Sequence, residues 1–243
     1  MPRESLAERK KRAARIDRRL KRMYPAKTAL THSNPFELLA ATILSAQCTD
    51  VRVNEVLPHL FARYNTPEAM AHADRDELEA IIRPTGFFRS KAKSLMALSR
   101  DLLDKYGGEV PDSMEELLTL RGVGRKTANV VLGSAFGIAT GVVVDTHVGR
   151  LSRRMRFTRH TDPAKVERDL MQIISETDWI GFSHRMIWHG RALCLARRPK
   201  CEDCPLVPDC PTAADYLPVD VPLRRTQSRA SHRTRSRKRA STR

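Results

Sequence analysis

Apolar residues recur along this chain at helical spacing, and the breaks between the series carry helix punctuation rather than strand signals. Phe36, Leu39, Ala40, Ile43 and Leu44 form one stripe. In front of it, Asn34-Pro35-Phe36-Glu37 supplies a cap, a first-turn proline and an acid at the third helical position. Thr66-Pro67-Glu68 and Asp162-Pro163 repeat the device, while Asp74-Arg75-Asp76-Glu77 and Asp112-Ser113-Met114-Glu115 read as capping boxes. Gly107 and Gly137 fall where apolar series stop, the place of a left-handed helix terminus. Gly141 to Val144 is β-like but too short to anchor a sheet. The pattern predicts an all-α protein of about ten short helices. After Asp215 the chain turns polar and loses its apolar period, so 217–243 reads as a disordered basic tail.

Length and charge narrow the class. The chain has 243 residues, room for one or two domains with a sizeable core. No apolar run approaches the roughly 18 residues needed to span a bilayer. The first 25 residues hold ten Lys or Arg and three acids but no signal-peptide core, which points to a reducing, cytoplasmic compartment. A mitochondrial presequence over Arg9 to Arg22 is the competing reading, and Glu4, Glu8 and Asp17 count against it. The net charge of +16 suggests a polyanionic partner. Residues 1–25 and 224–243 account for all of it, leaving the middle neutral. Within that middle, Arg150, Arg153, Arg154, Arg156 and Arg159 share one acid-free stretch and Arg185, Arg191, Arg197, Arg198 and Lys200 another, so one basic face is expected; scattered solvated charge is the plainer alternative.

Three constellations carry chemistry. Leu120-Arg121-Gly122-Val123-Gly124-Arg125-Lys126-Thr127-Ala128 lies between a helix ending near Leu120 and another running from about Arg125 to Phe136. Two glycines two apart let the backbone turn tightly, and the free amides at the next helix start suit an anion such as a DNA phosphate. Alone, such a turn is equally the joint of an ordinary helical pair. Lys126 tips the balance, because a first-turn lysine beside Arg125 stands where added positive charge is disfavoured, and a neutral amine can form a Schiff base with a sugar carbon. The second constellation, Val142-Val143-Val144-Asp145-Thr146-His147, fixes Asp145 at the end of a buried run. There its carboxylate can stabilise charge developing on a sugar, or cap the helix beginning at Thr146, or both.

The third is Cys194-x6-Cys201-x2-Cys204-x5-Cys210, four of the five cysteines within seventeen residues. In a reducing compartment these hold a metal or a cluster rather than disulfides. The uneven spacing, with one Cys-x-x-Cys unit, suits a [4Fe–4S] cluster better than zinc, which stays the alternative. Arg197, Arg198 and Lys200 inside the first cysteine loop would then form a basic element held towards DNA. Cys48 reads as a buried helix residue with no ligand role.

With these motifs in place, the chain resembles the endonuclease III family of helix-hairpin-helix DNA glycosylase/lyases, which carry a [4Fe–4S] cluster. The resemblance covers about residues 16–215 and includes Leu44-Ser45-Ala46-Gln47, Gly122 to Asn129, Val144-Asp145-Thr146-His147, His189-Gly190-Arg191 and the cysteine spacing, in the family's order. It implies that Lys126 is the Schiff-base nucleophile, Asp145 the catalytic carboxylate, and Cys194, Cys201, Cys204 and Cys210 the cluster ligands. It implies DNA contacts from Gln47, which fills the gap left by a flipped base, and from Phe87, Gly122, Gly124, Arg125, His147 and Arg191. The fold expected is a six-helix barrel with the hairpin over 28–139 and a cluster domain over 140–216 joined by the segment 1–27, flanking a DNA-binding cleft. The expected activity is base-excision removal of oxidised pyrimidines from duplex DNA, with nicking of abasic sites by β-elimination, by a monomer in the bacterial cytoplasm. Two departures stand out: Arg121 replaces a usual proline, which should loosen the approach to the hairpin while adding a cation near the phosphate, and Phe87 stands where the family inserts an apolar wedge. A monofunctional adenine glycosylase of the same superfamily and a non-catalytic redox-sensing DNA binder are the rivals. Lys126 opposes the first, and Lys126 with Asp145 the second.

Overall fold

The computed structural model describes residues 4–217; the tail read as disordered lies, beyond residue 217, outside the described residues. Eleven α-helices and no strand are present among them: α1 Leu6–Met23, α2 Pro35–Leu44, α3 Asp50–Phe61, α4 Pro67–Ala71, α5 Arg75–Ile82, α6 Phe88–Tyr106, α7 Met114–Leu117, α8 Arg125–Val131, α9 Thr146–Arg154, α10 Pro163–Met171 and α11 Trp179–Ala192. The all-α expectation holds. Gly141 to Val144 is an extended connection without a ladder, its three valines buried.

The helix starts follow capping chemistry, with two corrections. Asn34, Thr66 and Asp162 each accept from the backbone amide three residues on, as their sequences indicate. At α5 only half of the expected box forms. Asp74 accepts from the Glu77 amide at 2.8 Å, but the Glu77 carboxylate turns to Tyr64 and Arg63 instead of back to the cap. At α7 the box is shifted by one residue: Ser113, not Asp112, caps the amide of Glu116, and the Glu116 side chain returns to the Ser113 hydroxyl. A serine hydroxyl competes as well as a carboxylate for this place, so adjacent Asp and Ser leave the register open in sequence. Gly107 and Gly137 end α6 and the π-helical turns Leu132–Phe136 that continue α8, at φ 61° and 70°.

Two hydrophobic cores result. One runs from Leu30 to Leu132, with α6 packed against α2, α4 and α5. The other joins Ala13, Ile16 and Leu20 of α1 to Val142, Val148, Leu151, Phe157, Leu170, Phe182 and Leu206. The N-terminal helix therefore packs with the C-terminal part of the chain, and its charges are used there. Asp17 meets the buried Arg185 at 2.9 Å, Arg12 donates to the Met155 and Asp209 carbonyls, and Arg15 and Arg19 share the Asp209 carboxylate. The basic face is thus smaller than the sequence suggests. Arg185 is internal, while Arg150 and Arg154 turn inward onto carbonyls of residues 190–196. Arg153, Arg156, Arg159, Arg197, Arg198 and Lys200 stay exposed.

Candidate active site and cysteine centre

The hairpin between α7 and α8 is held by its apolar centre. Val123 is buried in the first core and its amide closes a turn onto the Leu120 carbonyl at 3.1 Å. The two glycines do different work. Gly122 has φ 83°, a backbone state that side chains resist. Gly124 has an ordinary extended φ, and a Cβ there would meet nothing within 4 Å. Its bareness leaves open surface at the start of α8, where backbone amides lack helical partners.

Arg121 corrects an expectation. Far from loosening the hairpin, it fastens it to α6: its amide and Nε both donate to the Asp101 carboxylate at 2.9 Å, and its terminal nitrogen reaches Asp101 and the Ala97 carbonyl. A proline has no amide to offer there. The Arg121 hydrogen bonds hold the nearly buried Asp101 carboxyl below its usual range. A carboxyl with a depressed folded pKa stabilises the fold above its unfolded pKa of about 3.9 and loses that contribution as pH falls through the folded value. Asp101→Asn is accordingly expected to lower the melting temperature by roughly 2–4 °C at pH 7. The gap from wild type should close as pH falls below about 4; a pH-independent gap in thermal melts would remove the ion pair as its cause.

Lys126 stands exposed in the first turn of α8, and Asp145 is half-buried at the start of α9, where it accepts from the Val148 amide at 2.8 Å. The capping role of Asp145 is therefore real, and among the described residues its other carboxylate oxygen makes no hydrogen bond or ion pair. Both residues line one open cleft, together with Lys27 to Leu30, Thr42 and Ser45 at the end of α2, Asp50 at the start of α3, and His184, Trp188 and Arg191 of α11. The lysine comes from an element of the first core and the carboxylate from the second, so the cleft forms where the two meet. His184, buried against Ser134 at 3.1 Å, is pushed down to about 4 by burial and is a neutral imidazole at pH 7.

The other sequence candidates are distributed around this cleft. Arg191 lines it and pairs with Asp50 at 2.6 Å. Gln47 and Phe87 lie outside the cleft lining, both exposed and both in left-handed backbone, at φ 53° and 49°, unusual for residues with side chains. Arg125 turns to the buried Glu167 at 3.1 Å, so its charge is answered within the protein. His147 packs half-buried against Gly190, where an added Cβ would lie 2.8 Å from its Nδ1; burial lowers its pKa. Cys48 belongs to the turn after α2 rather than to a helix, half-buried against the first core.

The four clustered cysteines form no disulfide and line a single hollow, shared with Leu193, Leu206, Val207 and Ala213. Among the described residues no three His, Cys, Asp or Glu side chains are grouped as ligands of a single ion, while all four cysteines line the one hollow. Burial pushes the Cys204 thiol up to about 11, and the neighbouring cysteines add to the rise. Four thiolates gathered there thus need a positively charged centre to be stable. The hollow and its donors fit a sulfur-ligated iron cluster. Arg154 donates to the Cys194 sulfur at 3.2 Å and to the carbonyls of Leu195 and Ala196.

Sequence reasoning missed Glu167, Lys91 and His184. Glu167 binds Arg125 and Asn129 and crowds Gly141, where a Cβ would sit 2.0 Å from its carboxylate oxygen. It thereby ties α8 to α10. An acid in a polar helical stretch gives no signal of such a role. Residues 40–176 match the model of the HhH-GPD superfamily base excision DNA repair proteins. The chain is 54% identical over 209 residues to the endonuclease III of Synechocystis sp., covering 86% of this chain and 95% of the relative. It is 46% identical to that of Bacillus subtilis over 190 residues, 77% and 86% of the two chains. A solved structure described as a non-covalent endonuclease III–DNA complex superposes with a TM-score of 0.80 at 45% identity, covering 85% of this chain and 97% of that one.

Proposed function

The chain belongs to the endonuclease III family, within the HhH-GPD superfamily of base excision DNA repair proteins, and from that premise we propose that Lys126 is its nucleophile and Asp145 its catalytic carboxylate. The enzyme is a DNA glycosylase and abasic-site lyase. The observation that carries the residue assignment is that Lys126 and Asp145, at the starts of two helices from different cores, line the same cleft, where the other carboxylate, Asp50, is already paired with Arg191 and the other lysine, Lys27, lies outside any helix.

The damaged nucleotide must leave the stack before a lysine can reach its sugar. Lys126 Nζ bonds to C1′ as the bond from C1′ to the base breaks, and the base departs with the electron pair and takes up a proton. The Asp145 carboxylate offsets the positive charge that builds on the sugar, and the attached amine sheds a proton to give an aminal; the sugar ring then opens as the C1′–O4′ bond breaks, O4′ taking up a proton while the nitrogen lone pair closes the C1′=N bond of the protonated Schiff base. With C1′ held as an iminium, loss of a C2′ proton expels the 3′ phosphate, leaving a nick and an unsaturated aldehyde still to be released from Lys126 by water. Amides near Gly122 and Gly124 hold a backbone phosphate, Gln47 and Phe87 enter the space around the flipped nucleotide, and Arg125, His147 and Arg191 complete the DNA surface. The substrate is duplex DNA with oxidised pyrimidines or abasic sites; Thr42 and Ser45 line the cleft, their hydroxyls donating to the Leu38 and Thr42 carbonyls and so presenting oxygens that can accept from a polar base edge. Borohydride added while the protein acts on a thymine-glycol duplex tests the reading: a covalent protein–DNA adduct is expected, and release of the free base with neither nick nor adduct would favour a monofunctional glycosylase.

The domain division that fits the two cores is 28–139 for the barrel and 140–216 for the second domain, with 1–27 packed on the latter. Cys194, Cys201, Cys204 and Cys210 hold a [4Fe–4S] cluster in this reading. When bound it supplies no bond-making chemistry but pins the loop bearing Arg197, Arg198 and Lys200. Purified protein is expected to be yellow-brown, with broad absorbance near about 400 nm and about four irons per chain; colourless protein with one zinc would reverse the choice. Cys204→Ser should lose most soluble protein, since the cysteine hollow is part of the second core. The bacterial endonuclease III relatives support a cytoplasmic enzyme working on the nucleoid.

A further inference from the structure

We propose that Lys91 is a positioning residue that holds the turns bearing Gln47 and Phe87 at a fixed separation, so that the two side chains enter DNA together. The proposal rests on the assignment of Gln47 and Phe87 to the DNA interface made above. Lys91 lies in the first turn of α6 and is 5% exposed. Burying an ammonium is costly unless hydrogen bonds replace its water, and its partners here are two main-chain carbonyls, Leu44 and Thr85, each at 2.8 Å. Burial lowers its pKa.

Both carbonyls end a helical segment. Leu44 closes α2, and Cys48, four residues on, donates its amide to Ser45 instead, at 3.1 Å, leaving the Leu44 carbonyl to the lysine. Thr85 closes the 3-10 turn Arg83–Thr85. Gln47 follows three residues after Leu44, at φ 53°, and Phe87 two residues after Thr85, at φ 49°. The Lys91 amide also donates to the Phe87 carbonyl at 3.0 Å. One residue therefore brackets Gly86-Phe87 from both sides with its amide and its ammonium, and the same ammonium reaches across to the Gln47 turn. Phe87 has no side-chain cap and is 67% exposed, so little else restrains it. A carboxylate partner would only have neutralised Lys91, whereas carbonyls transmit its position to the backbone. Filling the vacated space and wedging the neighbouring step must happen at one spacing, and a misplacement of about 1 Å can cost about 10²-fold in rate.

The test uses full-length protein with Lys91→Met, in the wild-type background and in Gln47→Ala/Phe87→Ala. The readouts are single-turnover excision of thymine glycol, and fluorescence of 2-aminopurine opposite a tetrahydrofuran abasic analogue at saturating protein. Lys91→Met is expected to slow excision by about 10–100-fold and to suppress the fluorescence rise. Lys91→Arg should recover part of both. In the double-alanine background Lys91→Met should slow excision by less than about twofold, because the elements it positions are already gone. The same loss in both backgrounds, or no loss in either, overturns the proposal. If Gln47→Ala/Phe87→Ala itself behaves as wild type, the interface assignment fails and takes the proposal with it, a result recognisable before any Lys91 variant is compared. Should Lys91→Met fail to fold in thermal melts, Lys91→Gln, a neutral donor too short to reach both carbonyls, gives the same comparison.

Discussion

Lys126→Ala is expected to abolish the borohydride-trapped adduct and to slow strand nicking by at least about 10³-fold, while affinity for an abasic duplex changes little. The separation follows from the local structure. The groups suited to a phosphate are the amides at the Gly122–Gly124 turn, held by the buried Val123 and by the grip of Arg121 on Asp101, and none depends on the Lys126 side chain. An exposed first-turn side chain can be cut back to alanine at little cost to the fold. Titration of a fluorescent abasic duplex beside the trapping gel checks both halves. Trapping that persists in the alanine variant would move the nucleophile elsewhere. Loss of binding along with trapping would mean that the amine holds the DNA as well as attacking it.

The parts of this site legible in sequence are those fixed by local chemistry. The glycines of the hairpin, the lysine in the following turn and the carboxylate after three valines are each readable within about ten residues, and the cysteine spacing within seventeen. Helix starts were also legible, to within the one-residue ambiguity of Asp112-Ser113, where two good caps stand side by side. The unreadable parts depend on partners far apart in the chain. Arg121 looked like a free cation for phosphate because Asp101, twenty residues earlier, gives no sign that its carboxylate points at the hairpin. Arg125 meets Glu167 across 42 residues, and Lys91 meets Leu44 across 47. The clusters of arginine misled for the same reason. Arg150, Arg154 and Arg185 stand among exposed basic neighbours in sequence, yet they satisfy buried carbonyls and a buried aspartate. Charge segregation along a chain records composition, whereas a basic face requires that the guanidinium groups find nothing inside the protein to bind.

Asp145→Asn is expected to slow single-turnover excision of a damaged base by about 10²–10³-fold, the scale of a lost electrostatic stabiliser. Asp145 caps α9 and, in the proposed mechanism, also acts on the sugar, and this substitution separates the two roles. Its Oδ1 caps α9 through the Val148 amide, and asparagine caps a helix about as well as aspartate, so the melting temperature should stay close to wild type. What asparagine lacks is the negative charge beside the sugar. Asp145→Ala removes both functions and should add a stability loss of about 1 kcal/mol to the same catalytic defect. The two variants together decide what the carboxylate is for. If Asp145→Asn excises at the wild-type rate, Asp145 is a helix cap near the cleft and another group must stabilise the sugar. If both variants are slow and only the alanine variant is unstable, the charge acts on the reaction and the cap acts on the fold. Binding of an abasic duplex should survive in the asparagine variant, because the phosphate amides belong to α8 and the hairpin before it, on the other core.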